Sequence, residues 1–262
     1  MLMFAFLIGS AFFTSILSAV LGMAGGMVLM GLLPLVLTLP AAFAAHGIIQ
    51  FFANAYRAWL LRKHIHRGIA LKSAYGAIAA LAFAVCVRFT PHAMVVAFVL
   101  GTLPFVRRLP LPRGMLRVEF PGRAAASGFL VAAVQIFAGV AGPLLDVFYL
   151  DTSLDKHAVV ATKAVGQAFS HLLKTCYFVC LPYLVGGENR FSSTGELSQI
   201  LWILPFAVGA AFVGTALGAR LLERVSDTWF RAVTTRAIEC IGVAFLFKGF
   251  VLLMGFDGPG SV

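Results

Sequence analysis

A chain of 262 residues that is 61% hydrophobic and 11% charged is not a soluble domain, since such domains carry roughly 45–50% apolar and about 25% charged residues. The net charge of +10 does not signal nucleic acid, because the basic residues stand in short loops beside apolar segments, where they set membrane orientation. Four cysteines without a CxxC pair, Cys86, Cys176, Cys180 and Cys240, exclude a disulfide framework and a closed zinc site and read as packing thiols.

The apolar segments run over about 2–21, 26–39, 41–61, 69–88, 91–106, 124–138, 143–150, 157–185, 199–222 and 228–254. A full span takes about 20 residues, so 26–39 and 143–150 are too short to cross alone. Segment 2–21 has no Lys or Arg before it. It reads as retained rather than as a cleaved signal, either as a full span or as half of a re-entrant hairpin. No soluble domain can be cut out, and residues 1–262 form a single membrane domain. Its parts are a first repeat at about 1–106, a loop at 107–123 and a second repeat at about 124–254.

Loop charge sets the orientation. Three loops hold 13 of the 20 Lys and Arg residues. They are Arg62, Lys63, Arg67 and Lys72; then Arg107, Arg108, Arg113, Arg117 and Arg123; then Arg220, Arg224, Arg231 and Arg236. The positive-inside rule places all three in the cytoplasm and the 186–198 loop outside. From inside at 107–123 to outside at 186–198 the chain crosses an odd number of times. The simplest path folds 124–138 and 143–150 into a re-entrant hairpin and lets 157–185 cross. The first half gives the mirror image, with both termini outside. The fold class is therefore an all-α polytopic membrane protein with an inverted-topology repeat, each half one Gly-broken hairpin plus three transmembrane helices.

The residues repeat as well. Gly22-Met23-Ala24-Gly25-Gly26 recurs as Gly139-Val140-Ala141-Gly142-Pro143, 117 residues later. At the same offset His46 meets Lys163, Gln50 meets Gln167, Asn54 meets His171 and Arg57 meets Lys174. At about 100° per residue, each set falls within one narrow stripe of its helix. Lipid cannot satisfy such a stripe, so both must face protein or water. An inverted repeat would bring them to one cavity.

The chemistry of that cavity favours an anion. Lys163 and Lys174 are cationic, and His46 and His171 can be. Gln50, Gln167 and Asn54 can donate, and Thr162 stands beside Lys163. The glycine tips Gly22, Gly25, Gly26, Gly139 and Gly142 add backbone N–H groups at the starts of short helices. No carboxylate cluster for a cation is present. His171 and Asp146 are the groups that could couple protons to transport. Each feature also has a structural reading. Membrane glycines serve close helix packing, Arg57 can snorkel to the interface, and Lys174 can pair with Asp146 or Glu239. Lys248 and Glu239 on the last span read as packing or pairing elements.

These motifs resemble the TauE/SafE family of sulfite and organosulfonate permeases. The residues that carry the resemblance are Gly22-Met23-Ala24-Gly25-Gly26 with Pro34 after it, Ala138-Gly139-Val140-Ala141-Gly142-Pro143, Ala161-Thr162-Lys163 and His171-Leu172-Leu173-Lys174. Met23 and Ala24 depart from a pattern that is often richer in glycine. The resemblance implies an inner-membrane transporter of sulfur-containing anions such as sulfite, thiosulfate or an organosulfonate. The expected partners are a small anionic substrate and membrane lipid, with no cofactor, no metal and no nucleic acid. The expectation is a non-enzymatic secondary transporter working by alternating access. The alternatives are a membrane enzyme acting on a lipid or sulfur species and a non-transporting assembly factor. Duplicated polar residues favour transport, since a catalytic cluster would sit in one half.

Overall fold

The computed structural model describes residues 2–21, 24–109, 115–149, 152–180, 196–222, 224 and 227–255. Gly22, most of the 186–198 loop and the C-terminal tail lie outside the described residues. The described chain is helical: α1 Leu2–Leu21, α2 Ala24–Leu32, α3 Leu39–Leu60, α4 Arg67–Cys86, α5 Ala93–Thr102, α6 Arg123–Ala138, α7 Gly142–Tyr149, α8 Lys156–Thr175, α9 Glu196–Leu222 and α10 Asp227–Leu253. Among the described residues, Leu2–Val20, Arg67–Cys86 and Ile200–Leu221 are long and apolar enough to cross a membrane. The protein is a polytopic membrane protein.

The second glycine motif separates α6 from α7 at Gly139; the first falls partly outside the described residues, with α1 ending at Leu21 and α2 beginning at Ala24. α2 has nine residues and α7 has eight, too short to span. Gly139 ends α6 at φ +85°, a left-handed conformation that favours glycine, and its N–H bonds the Gln135 carbonyl at 2.9 Å. Segment 91–106 differs from the straight span expected. It is α5 followed by a 3-10 turn, Leu103–Arg108, where Pro104 lacks the N–H that a continuing helix needs.

α3 and α8 begin at Leu39 and Lys156, 117 residues apart. Their starts use different chemistry. Pro40 occupies the first turn of α3, where its missing N–H costs nothing. Asp155 caps α8 by accepting from the N–H groups of His157 and Ala158 at 2.8 and 3.0 Å. The two helices pack antiparallel. The His64 ring just after α3 lies 5.1 Å from the His157 ring at the start of α8. At the other end, Gly47 of α3 faces Thr175 and Lys174 of α8.

The remaining contacts come in pairs. α1 packs on α9, and α6 packs on α4. Both interfaces rely on glycine for close approach. A Cβ at Gly214 would strike the Phe12 carbonyl, and one at Gly76 or Gly128 would strike the Ala125 or Ser73 carbonyl. α5 packs on α10. The α6–α7 hairpin begins and ends on one side: the N–H of Val118 donates to Phe148 O at 3.0 Å, and the N–H of Ser153 donates to Glu119 at 2.7 Å.

Candidate functional site

The polar stripes of α3 and α8 meet at the centre of the bundle. Lys174 is completely buried. Its Nζ lies 2.8 Å from His46 Nδ1 and donates to the Gly139 carbonyl at 3.0 Å. His46 Nε2 lies 2.9 Å from the Gly26 carbonyl. A carbonyl can only accept, so Nε2 carries the proton and Nδ1 of a neutral ring accepts from Lys174. One hydrogen-bonded chain, Gly139 O to Lys174 to His46 to Gly26 O, thus ties the two glycine tips together. The Phe43 ring covers the amine at 5.6 Å.

Next to this chain is a cavity of about 20 Å³. Gly26 and Gly142 reach it from the two tips. α3 contributes His46, Gln50, Asn54 and Arg57, and α8 contributes Gln167 and His171. Asn54 donates to the Gln50 carbonyl at 2.9 Å and to Gln50 Oε1 at 3.4 Å. That orients Gln50 with its Nε2 buried and without a partner. Gln135 Nε2 lies 3.3 Å from His171 Nε2. With the amide donating, the His171 proton sits on Nδ1, which is also buried and unpaired. His171 and His46 rings stand 5.4 Å apart.

Among the described residues no Asp or Glu lines this cavity. Among the described residues neither Lys174 nor Arg57 has an acidic partner. The carboxylates offered as partners for Lys174 are engaged elsewhere: Asp146 pairs with Lys163, and Glu239 with Arg108 at 2.6 Å. Cations, buried donors without acceptors and the starts of α2 and α7 converge on one point. Such a point can hold an acceptor with negative charge.

The structure brings Gly26, His46, Gln50, Asn54, Gly139, Gly142, Gln167, His171 and Lys174 together at this point. It puts others elsewhere. Gly25 faces α1, where a Cβ would strike the Thr14 carbonyl and the Ser18 side chain. Thr162 accepts from the His66 N–H at 3.0 Å. Thr162 and Lys163 line a second cavity of about 400 Å³, and Asp146 is bound to Lys163. Lys163 lies at the edge of its stripe, within reach of α7, and its long side chain leans to Asp146 rather than to the centre.

Two polar lining residues stand outside the stripes read from the sequence. Ser18 and Gln135 both reach the cavity, and they stand 117 residues apart. The same offset that paired His46 with Lys163 could have found them. Arg57, matched to Lys174 on the stripe and also able to snorkel, lines the cavity.

The fold defines a multi-pass helical membrane protein whose buried polar centre is built from both halves of the chain. The family model for the sulfite exporter TauE/SafE matches residues 7–245, and the chain belongs to that family. This is a transporter family, and membership implies export of sulfite or a related sulfur anion. No match was found among curated proteins or solved structures.

Proposed function

We propose that the protein is a secondary transporter that carries a small sulfur-containing anion, sulfite, thiosulfate or an organosulfonate, across the cytoplasmic (inner) membrane by alternating access. The observation that carries this reading is a buried centre with Lys174, Arg57 and the unpaired donors of Gln50 and His171, and with no carboxylate lining its cavity. The anion takes the place those donors leave open. Gln167 and the backbone at Gly26 and Gly142 complete its surroundings.

A cavity of about 20 Å³ has room for one water. An oxyanion with three or four heavy atoms needs the tips to part. The tips are joined by the Lys174–His46 chain, so an anion that takes Lys174 as its partner also loosens that joint. Binding and opening are then one event. A proton on His171 adds charge beside the anion and is the proposed coupling proton. Asp146, neutralised by Lys163, is the second candidate. The halves act as an inverted repeat, with the loops near 62–72 and 107–123 in the cytoplasm.

The test is uptake of radiolabelled sulfite, thiosulfate and sulfoacetate into proteoliposomes. Saturable flux of one of them, blocked by the others, is the expected result. Absence of flux for all three in well-inserted protein would remove the reading.

A further inference from the structure

The cavity of about 400 Å³ lies between α4, α6, α7 and α8. It is not required by the duplicated architecture. Gly166 of α8 lines it, and a Cβ there would meet nothing within 4 Å. The matched residue of the first repeat is Ile49, which is completely buried and fills its side of the bundle. At this matched position the second half leaves space where the first is filled. Its size lies within the usual range for a ligand site, about 300–1,000 Å³.

Its exposed surface is mostly apolar, with Val131, Leu145, Val165 and Phe169 among its walls; of the polar residues there, Lys163 is paired with Asp146 and Thr162 accepts from the His66 N–H. A path for a hydrated anion would expose polar groups along its length, and this one exposes few. The mouth has a different character. Leu71, on its rim, is 56% exposed, which suits hydrocarbon. One turn earlier Arg67 is exposed at the start of α4 and also lines the cavity. Among the described residues Arg67 has no acidic partner. An unpaired guanidinium sits at the helix end, where headgroups lie. An exposed leucine is one turn deeper, and behind both is an apolar hollow. This order matches a phospholipid: anionic headgroup, glycerol region, acyl chain.

We propose that this cavity is a binding site for an anionic phospholipid of the bilayer leaflet next to the α3–α4 loop, with one acyl chain between α4 and α8 and the phosphate on Arg67. The site stands apart from the anion site. It does not depend on what the protein transports.

The repeat itself supplies the test. Gly166→Leu puts a side chain into the hollow at a point where its Cβ meets nothing within 4 Å, as Ile49 puts one at the matched position of the first half. Arg67→Gln removes the headgroup contact and leaves the hollow. The wild-type protein and both variants are purified in detergent and titrated with dioleoyl-phosphatidylglycerol, dioleoyl-phosphatidylcholine or decylsulfonate, and thermal unfolding is followed. For the wild type, phosphatidylglycerol is expected to raise the midpoint at least tenfold more potently than phosphatidylcholine. Arg67→Gln should equalise the two lipids. Gly166→Leu should lose the response to both, with an unchanged midpoint in lipid-free detergent. Should Gly166→Leu not fold, Gly166→Ala, which shortens the hollow, should shift the titration to higher lipid concentration. An equal phosphatidylglycerol response in wild type and both glycine variants would overturn the proposal. So would decylsulfonate acting at lower concentration than the lipid, which would make the hollow a substrate pocket.

Discussion

His46 and Lys163 occupy matched positions on α3 and α8, yet their surroundings differ. His46 is fully buried, bonds the Gly26 carbonyl and receives Lys174. Lys163 is partly exposed, is paired with Asp146 and lines a separate cavity. The position of Asp146 in the first half is held by Leu29, a buried core residue. Positions matched at the 117-residue offset are polar in pairs but not alike. In the second half a carboxylate holds Lys163. The central cation comes from the far ends of the stripes, Lys174 and Arg57.

The largest contrast expected from mutation is between neighbouring glycines. Gly25→Val drives a side chain into the backbone of α1, where overpacking costs about 1–3 kcal/mol or more. The expected outcome is loss of folded protein, measured by size-exclusion profile and yield. Gly26 faces the cavity, and its Cβ would lie 3.8 Å from Gln50. Gly26→Ala should insert and unfold normally but lose flux about tenfold, a loss of about 1.4 kcal/mol. Normal folding of Gly25→Val would show that α1 and α2 are not packed as described.

Lys174→Met against Lys163→Met tests which cation serves the anion. A hydrogen bond to a charged group is worth about 1.5–3 kcal/mol, so Lys174→Met should lower flux by roughly 10- to 150-fold. Its thermal midpoint should hold or rise, because a buried charge without a counter-charge is removed. Lys163→Met leaves Asp146 alone and should destabilise by about 1–3 kcal/mol, between the exposed and buried limits for an ion pair. The double variant Lys163→Met/Asp146→Leu, which copies the apolar Leu29 of the first half, should recover the midpoint and keep flux. A stable double variant without flux would return Lys163 to the transport site.

Much of this arrangement was legible because lipid enforces simple rules. The glycine breaks, the short helices after them and the polar stripes of α3 and α8 all follow from which groups hydrocarbon cannot satisfy. The convergence of Gln50, Gln167 and His171 followed from matched spacing. The fate of Lys163 did not. Helical angle gives the direction of a Cα–Cβ bond, while a four-carbon chain chooses among neighbours that spacing does not reveal. Gly25 and Gly26 are equally alike in sequence. One residue of helix, about 100°, decides which meets α1 and which meets Gln50. Ser18 and Gln135 obey the same offset but lie before the glycine motifs, outside the polar stripes of α3 and α8.

The hairpins differ at their outer ends as well, and this gives the smallest expected effect. Glu119 accepts from the backbone N–H and the hydroxyl of Ser153, at 2.7 and 2.5 Å, and so ties the approach to α6 to the chain after α7. The matched residue of the first repeat is Leu2, which is 89% exposed and can form no such tie. Partial burial raises the Glu119 carboxyl, but hydrogen bonds from Ser153, Thr152 and Arg117 outweigh it and hold the pKa at about 2, below the ordinary 4.5. A carboxylate whose folded pKa is depressed stabilises fully above its unfolded pKa and loses that contribution as pH falls toward the folded value. The midpoint gap between wild type and Glu119→Gln should therefore be constant near neutral pH. It should shrink as pH falls from about 4.5 toward 2. Because the group is close to solvent, the gap should be small and weaken with salt. Thermal unfolding of both proteins from pH 7 downward measures it. A gap that stays constant through pH 3 would mean that the charge of Glu119 plays no part in holding the hairpin, leaving Val118 and Phe148 as the tie between its ends.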